Sequence, residues 1–106
     1  MQIEYLSPDH ALLTGPGVFA DAYCLDLGVA RLIFAKSSAG FVGCGFFDLA
    51  VFEKLSIPAA KVTGIFTIED LLKSPVSAAT PAAVLRGAKT GVTGEEAIRR
   101  LCISDR

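Results

Sequence analysis

The sequence predicts an α+β fold in two layers: a mainly antiparallel N-terminal sheet, with short helices from the C-terminal half packed on one face. Three observations carry this. Apolar runs separated by Gly- and Ser-rich turns fill residues 18–45. Helix-start signals occur only after residue 47. The whole chain has 106 residues, which fits a single domain.

Gln2 to Leu6 reads as a weak first strand, closed by the turn Ser7-Pro8-Asp9. His10 follows and reads as a solvated turn residue. Thr14-Gly15-Pro16-Gly17 is the next turn. Val18 to Leu27 then alternates loosely, with Phe19, Tyr23, Leu25 and Leu27 facing one way and Val18, Ala20, Ala22 and Cys24 the other. Ala30 to Lys36 and Phe41 to Gly45 are the following strands. Short turns between consecutive strands imply antiparallel hairpins.

The helices begin at Asp48, an N-cap residue type, with Leu49, Phe52 and Leu55 on one stripe. Ala59 to Val62 reads as a strand. Thr67 caps a helix from Ile68 to Lys73, with Glu69 and Asp70 where the helix dipole favours acid. Ser74-Pro75 ends it, and Val76 to Ala79 is a short strand. Thr80-Pro81 opens a helix through Arg86, and Gly87 ends it. Thr93-Gly94-Glu95-Glu96 has the spacing of a capping box for a last helix reaching Cys102. Ala97, Ile98, Leu101 and Cys102 form its buried stripe.

Composition narrows the function classes. The chain is 52% hydrophobic and only 20% charged, an apolar excess for its size that argues for surface hidden by a partner. The early strands are apolar on both faces, as in sheets covered on both sides, and the few short helices suffice for one. A second copy of the chain is the simplest other cover. Phe19, Tyr23, Leu25, Leu32 and Phe34 are the expected interface residues, with a tetramer preferred and a dimer second.

The formal net charge is -1 and the basic residues are scattered, so nucleic acid is not an expected partner. No apolar run is long enough to span a membrane, and the N-terminus does not read as a signal peptide, so the expected location is the cytoplasm. Cys24, Cys44 and Cys102 stand at wide spacing beside a single histidine, so neither a disulfide framework nor a metal site is expected. The glycines form no G-x-G-x-x-G, and no cofactor is expected.

The chemistry-bearing stretch is Gly40 to Leu55, an apolar strand that turns at Cys44-Gly45 and enters a helix. Gly43, Cys44, Gly45 and Asp48 are the candidate ligand-binding residues, because strand-to-helix junctions commonly hold ligands. Cys44 reads either as a ligand contact or nucleophile beside a helix start, or as a small apolar core residue. Asp48 reads as a helix cap or as an acceptor for a ligand hydroxyl or amine. A carboxylate there opposes the thiolate. Lys36, Lys61 and Arg31 are available as cations, although lone strand-end cations usually face solvent. The resulting expectation is non-catalytic binding of a small molecule or protein partner. The alternatives are a small thiol-dependent enzyme using Cys44 and a purely structural assembly subunit.

Three segments resemble the YunC-like family, a bacterial and archaeal domain of unknown function. Gly40-Phe41-Val42-Gly43-Cys44-Gly45-Phe46-Phe47-Asp48 is similar to its glycine, Cys-Gly and aromatic signature. Val62-Thr63-Gly64-Ile65-Phe66-Thr67-Ile68-Glu69-Asp70-Leu71-Leu72 and Gly91-Val92-Thr93-Gly94-Glu95-Glu96-Ala97-Ile98 are similar to its second and third patterns. The family often has Asn where this chain has Asp48. The resemblance divides the chain into an N-terminal β-region, residues 1–39, and an α/β part, residues 40–102. It implies a two-layer α+β fold in which the β-region makes a tetramer, and it implies no activity.

Overall fold

The computed structural model describes residues 1–102. Seven strands form one sheet: β1 (Gln2–Ser7), β2 (His10–Gly15), β3 (Val18–Asp26), β4 (Arg31–Ser37), β5 (Phe41–Gly43), β6 (Ala59–Lys61) and β7 (Ala78–Ala79). Their spatial order is their chain order. Every neighbouring pair is antiparallel except β5 and β6, which are parallel. Four short helices follow β5 in the chain: α1 (Leu49–Lys54), α2 (Ile68–Lys73), α3 (Pro81–Leu85) and α4 (Gly94–Arg100). The α+β class and the C-terminal placement of the helices agree with the sequence reading.

One strand was not expected. The turn at Ser7-Pro8-Asp9 is tight enough for the chain to reverse at once into β2, so Ala11 and Leu13 enter the core. His10 is therefore a strand residue and not a solvated turn residue. It pairs with Tyr23, its ring stacks on that of Tyr23 at 4.4 Å, and its Nε2 lies 2.8 Å from Asp21 Oδ1.

The register sorts the side chains. Ala11 and Leu13 of β2, Ala20 and Ala22 of β3, Ile33 and Ala35 of β4 and Val42 of β5 share one face and are all buried. Four of these seven are alanine, and a floor of small side chains lets helices sit close to the backbone. α2 and α4 pack on this face and on each other. Ile68, Leu71, Ile98 and Leu101 fill the space between, and Ala83 and Ala88 extend the same core beside α3. α1 lies on the other face: its Phe52 ring meets Phe41, whose strand neighbours on that side are Lys36 and Phe34.

Local hydrogen bonds hold this layer in place. Thr80 is 2% exposed, and its hydroxyl caps α3 by accepting from Ala83 N–H (3.3 Å). The same oxygen accepts from Ala59 N–H at 3.0 Å and donates to the Ile57 carbonyl at 3.3 Å, so one residue ties α3 to β6. Gly94 opens α4 against α2, where a Cβ would strike the Leu71 carbonyl oxygen. The expected capping box at α4 is only half made. Thr93 Oγ1 accepts from Glu96 N–H at 3.1 Å, but the Glu96 carboxylate turns to Arg100 and Arg99 instead. A cation one turn along the same helix competes with the neutral backbone donor for that carboxylate. The complete box is at α2, between Thr67 and Asp70.

Candidate functional site

The parallel pair β5 and β6 has its carboxyl ends at one end of the sheet, beside the β3–β4 turn. Ligands in sheets with parallel strands commonly sit outside such ends. A cleft of about 420 Å³ opens there. Cys44 and Gly45, just past β5, line it. Val29 and Arg31 come from the β3–β4 hairpin, Phe46 from the junction, and Gly64 to Phe66 from the loop after β6. The lining is mostly apolar, with Phe46 and Phe66 each 60% exposed.

Cys44 follows β5 on the buried side. Its backbone N–H donates to the Ile33 carbonyl at 2.9 Å, and its Sγ accepts from Ile33 N–H at 3.5 Å. The thiol is 4% exposed and belongs to the core cluster while it borders the cleft. Gly45 is exposed on the cleft wall.

The other two candidate residues lie elsewhere. Gly43 is buried on the opposite face, where a Cβ would collide with the Phe47 ring. Its missing side chain makes room for Phe47, which packs edge-on to Phe34. Asp48 is outside the cleft lining and accepts from Ala50 N–H at 3.0 Å as the cap of α1. Cys44 and Gly45 thus line the cleft, and Asp48 does not. No group of three or more His, Cys, Asp or Glu side chains is arranged to hold a metal among the described residues.

Arg31 supplies the charge of the cleft. Nη1 donates to the Phe66 carbonyl at 3.1 Å and lies 4.0 Å from Cys24 Sγ. The guanidinium carbon stands 4.0 Å over the Phe66 ring, a cation–π contact. Phe66 is fixed in turn, because Asp70 accepts from both Phe66 N–H and Thr67 N–H, at 3.0 and 3.2 Å. The capping box of α2 therefore sets the wall against which Arg31 rests. The sequence offers Arg31 as one of three possible cations for the site and a lining from Gly43 to Asp48 that spans Phe46, but nothing in it points to Phe66. The signal for Arg31 was its place at the start of an apolar strand, on the parity of Ile33.

Tyr5 and Glu69 meet near the β1 edge, with the Tyr5 hydroxyl donating to Glu69 Oε2 at 2.7 Å. Partial burial, then this hydrogen bond and the Glu69 charge, push the phenol up to about 12.

The candidate interface residues gather on one surface. Tyr23 pairs with Phe34 and Leu25 with Leu32, while Phe19, of the same parity in β3, is 65% exposed. The rings of His10, Tyr23, Phe34 and Phe47 form a continuous row across this face.

The model for "Domain of unknown function (DUF1805)" matches residues 43–101. The chain belongs to the DUF1805 family. Uncharacterized protein YunC from Bacillus subtilis (strain 168) is 38% identical over 84 residues, which cover 76% of this chain and 83% of that protein. The crystal structure of a protein of unknown function, TA1206 from Thermoplasma acidophilum, has a TM-score of 0.81 at 27% identity. That likeness covers 92% of this chain and 99% of the other. The YunC-like resemblance read from the motifs is thus shown. The DUF1805 match includes Cys44, Gly45 and Phe66, and it begins after Arg31.

Proposed function

We propose that this DUF1805 protein is a homo-oligomeric binding module that takes up a small molecule, without covalent chemistry, in the cleft beside Cys44. The observation that carries the reading is the cleft itself: a largely apolar hollow with a single charged side chain, Arg31, among its lining residues. Apolar walls with few polar groups are the usual makeup of small-molecule sites. Cys44 contributes shape, since its sulfur contacts a backbone donor at the cleft floor. The oligomer forms through the open sheet face carrying Phe19, Tyr23, Leu25, Leu32 and Phe34, with a tetramer preferred. Three unbridged cysteines suit a reducing compartment such as the cytoplasm.

Gly45 offers a clean test. A Cβ there meets only Thr63 Cγ2, at an ordinary contact distance of 3.7 Å, so a side chain can be added on this cleft-lining residue. In a fragment screen by amide NMR shifts, binders should move the Gly64 and Phe66 amides. Gly45→Leu should abolish those shifts while leaving the protein folded. A screen in which no fragment moves these amides overturns the binding reading. For the assembly, light scattering should give a stable oligomer that Leu25→Asp dissociates. A monomer at micromolar concentration overturns that part.

A further inference from the structure

We infer that the ligand of this cleft carries a carboxylate on a flat apolar body, an inference that rests on the binding reading above. The Arg31 guanidinium is held in place, yet no ion pair joins it to a carboxylate among the described residues. One face lies on the Phe66 ring, and Nη1 is engaged by the Phe66 carbonyl. These contacts fix the plane and leave the Nε–Nη2 edge with no protein acceptor among the described residues. Asp26, opposite Arg31 across β3 and β4, lines a smaller adjoining hollow, and its Oδ1 accepts from Gly28 N–H at 2.8 Å.

A half-buried guanidinium edge with two parallel N–H donors matches the two oxygens of a carboxylate in bidentate geometry. Its orientation is already set by Phe66, so little further ordering is lost on binding. One cation calls for one negative charge. The exposed rings of Phe46 and Phe66 and the side chain of Ile65 offer the rest of the ligand flat and branched apolar contact.

The test compares naphthoate with its neutral amide, naphthamide, on the unmodified full-length protein. The two have nearly the same shape and differ in charge. Titration is followed by the Gly45, Gly64 and Phe66 amide shifts. Naphthoate should bind about tenfold or more tightly than naphthamide. Arg31→Gln should remove that preference, and Arg31→Lys should restore only part of it, since an ammonium lacks the planar fork. Equal or tighter binding of naphthamide at the same amides overturns the carboxylate inference and leaves the cleft as a binding site. If neither compound moves those amides, the carboxylate inference fails. The fragment screen then decides separately whether the cleft binds at all. The wild-type comparison stands even if an Arg31 variant fails to fold.

Discussion

The two faces of the sheet solve the same packing problem in opposite ways. The face under α2 and α4 is floored with alanine and closed by Ile68, Leu71, Ile98 and Leu101, each at most 1% exposed. The other face carries large rings, His10, Tyr23 and Phe34, which stack in a row yet stay only half buried. Small residues permit a close second layer from the same chain. Large ones fill space laterally and stay partly exposed beside the charged pair Asp21 and Lys36. The contrast teaches that apolar content alone does not mark the core. The partner supplied within the chain decides which apolar face is finished.

The sharpest way to break this contrast is a matched pair of truncations. Leu101→Ala should cost about 2–5 kcal/mol in denaturant unfolding, because it opens a cavity in a fully buried layer. Leu25→Ala, on the open face, should cost less than about 1 kcal/mol in dilute solution. A Leu25 penalty that grows with protein concentration marks that face as covered by another copy. Equal penalties at every concentration remove the distinction.

The covered layer also depends on one polar residue. Thr80→Val keeps the shape but leaves the Ala59 N–H without its acceptor and α3 without its cap. The expected loss is about 2 kcal/mol. A change near zero in urea unfolding means that Thr80 is not the tie between α3 and β6.

The smallest effect sharpens the boundary between the faces, at the β1 edge. Folding pushes the Tyr5 phenol up to about 12, above its usual 10.0. The neutral form is thus favoured by folding. Its contribution is fully present below the unfolded pKa and is lost as pH rises from about 10 through about 12. Phenolate absorbance of the parent, minus that of Tyr5→Phe, should titrate at about 12. A midpoint at the ordinary tyrosine value rules out the Tyr5–Glu69 hydrogen bond.

Much of the second half was legible because its signals are local. Thr67, Thr80 and Thr93 cap their helices through N–H groups three residues away, and Asp48 caps α1 through one two residues away. The stripe Ala97, Ile98 and Leu101 follows from helical period alone. The parity of Phe19, Tyr23 and Leu25 against Ala20 and Ala22 was equally readable in the alternation. β2 was not, because its few apolar residues lie between two strong turn signals, and only pairing with β3 makes them a strand.

By itself, then, the sequence determined the α+β class, the helix starts, the two apolar faces of the early strands and the junction at Cys44-Gly45. The tertiary structure alone decided that Asp48 lies outside the cleft, that Gly43 makes room for Phe47, and that Glu96 answers Arg100 before its own cap. It alone placed Arg31 on Phe66, a partner 35 residues along the chain. Caps and periodicity are set by neighbours a few residues apart. The cleft is set by strand register, which brings Arg31 against a Phe66 that the neighbouring α2 cap holds, contacts that come together only when the whole sheet is assembled.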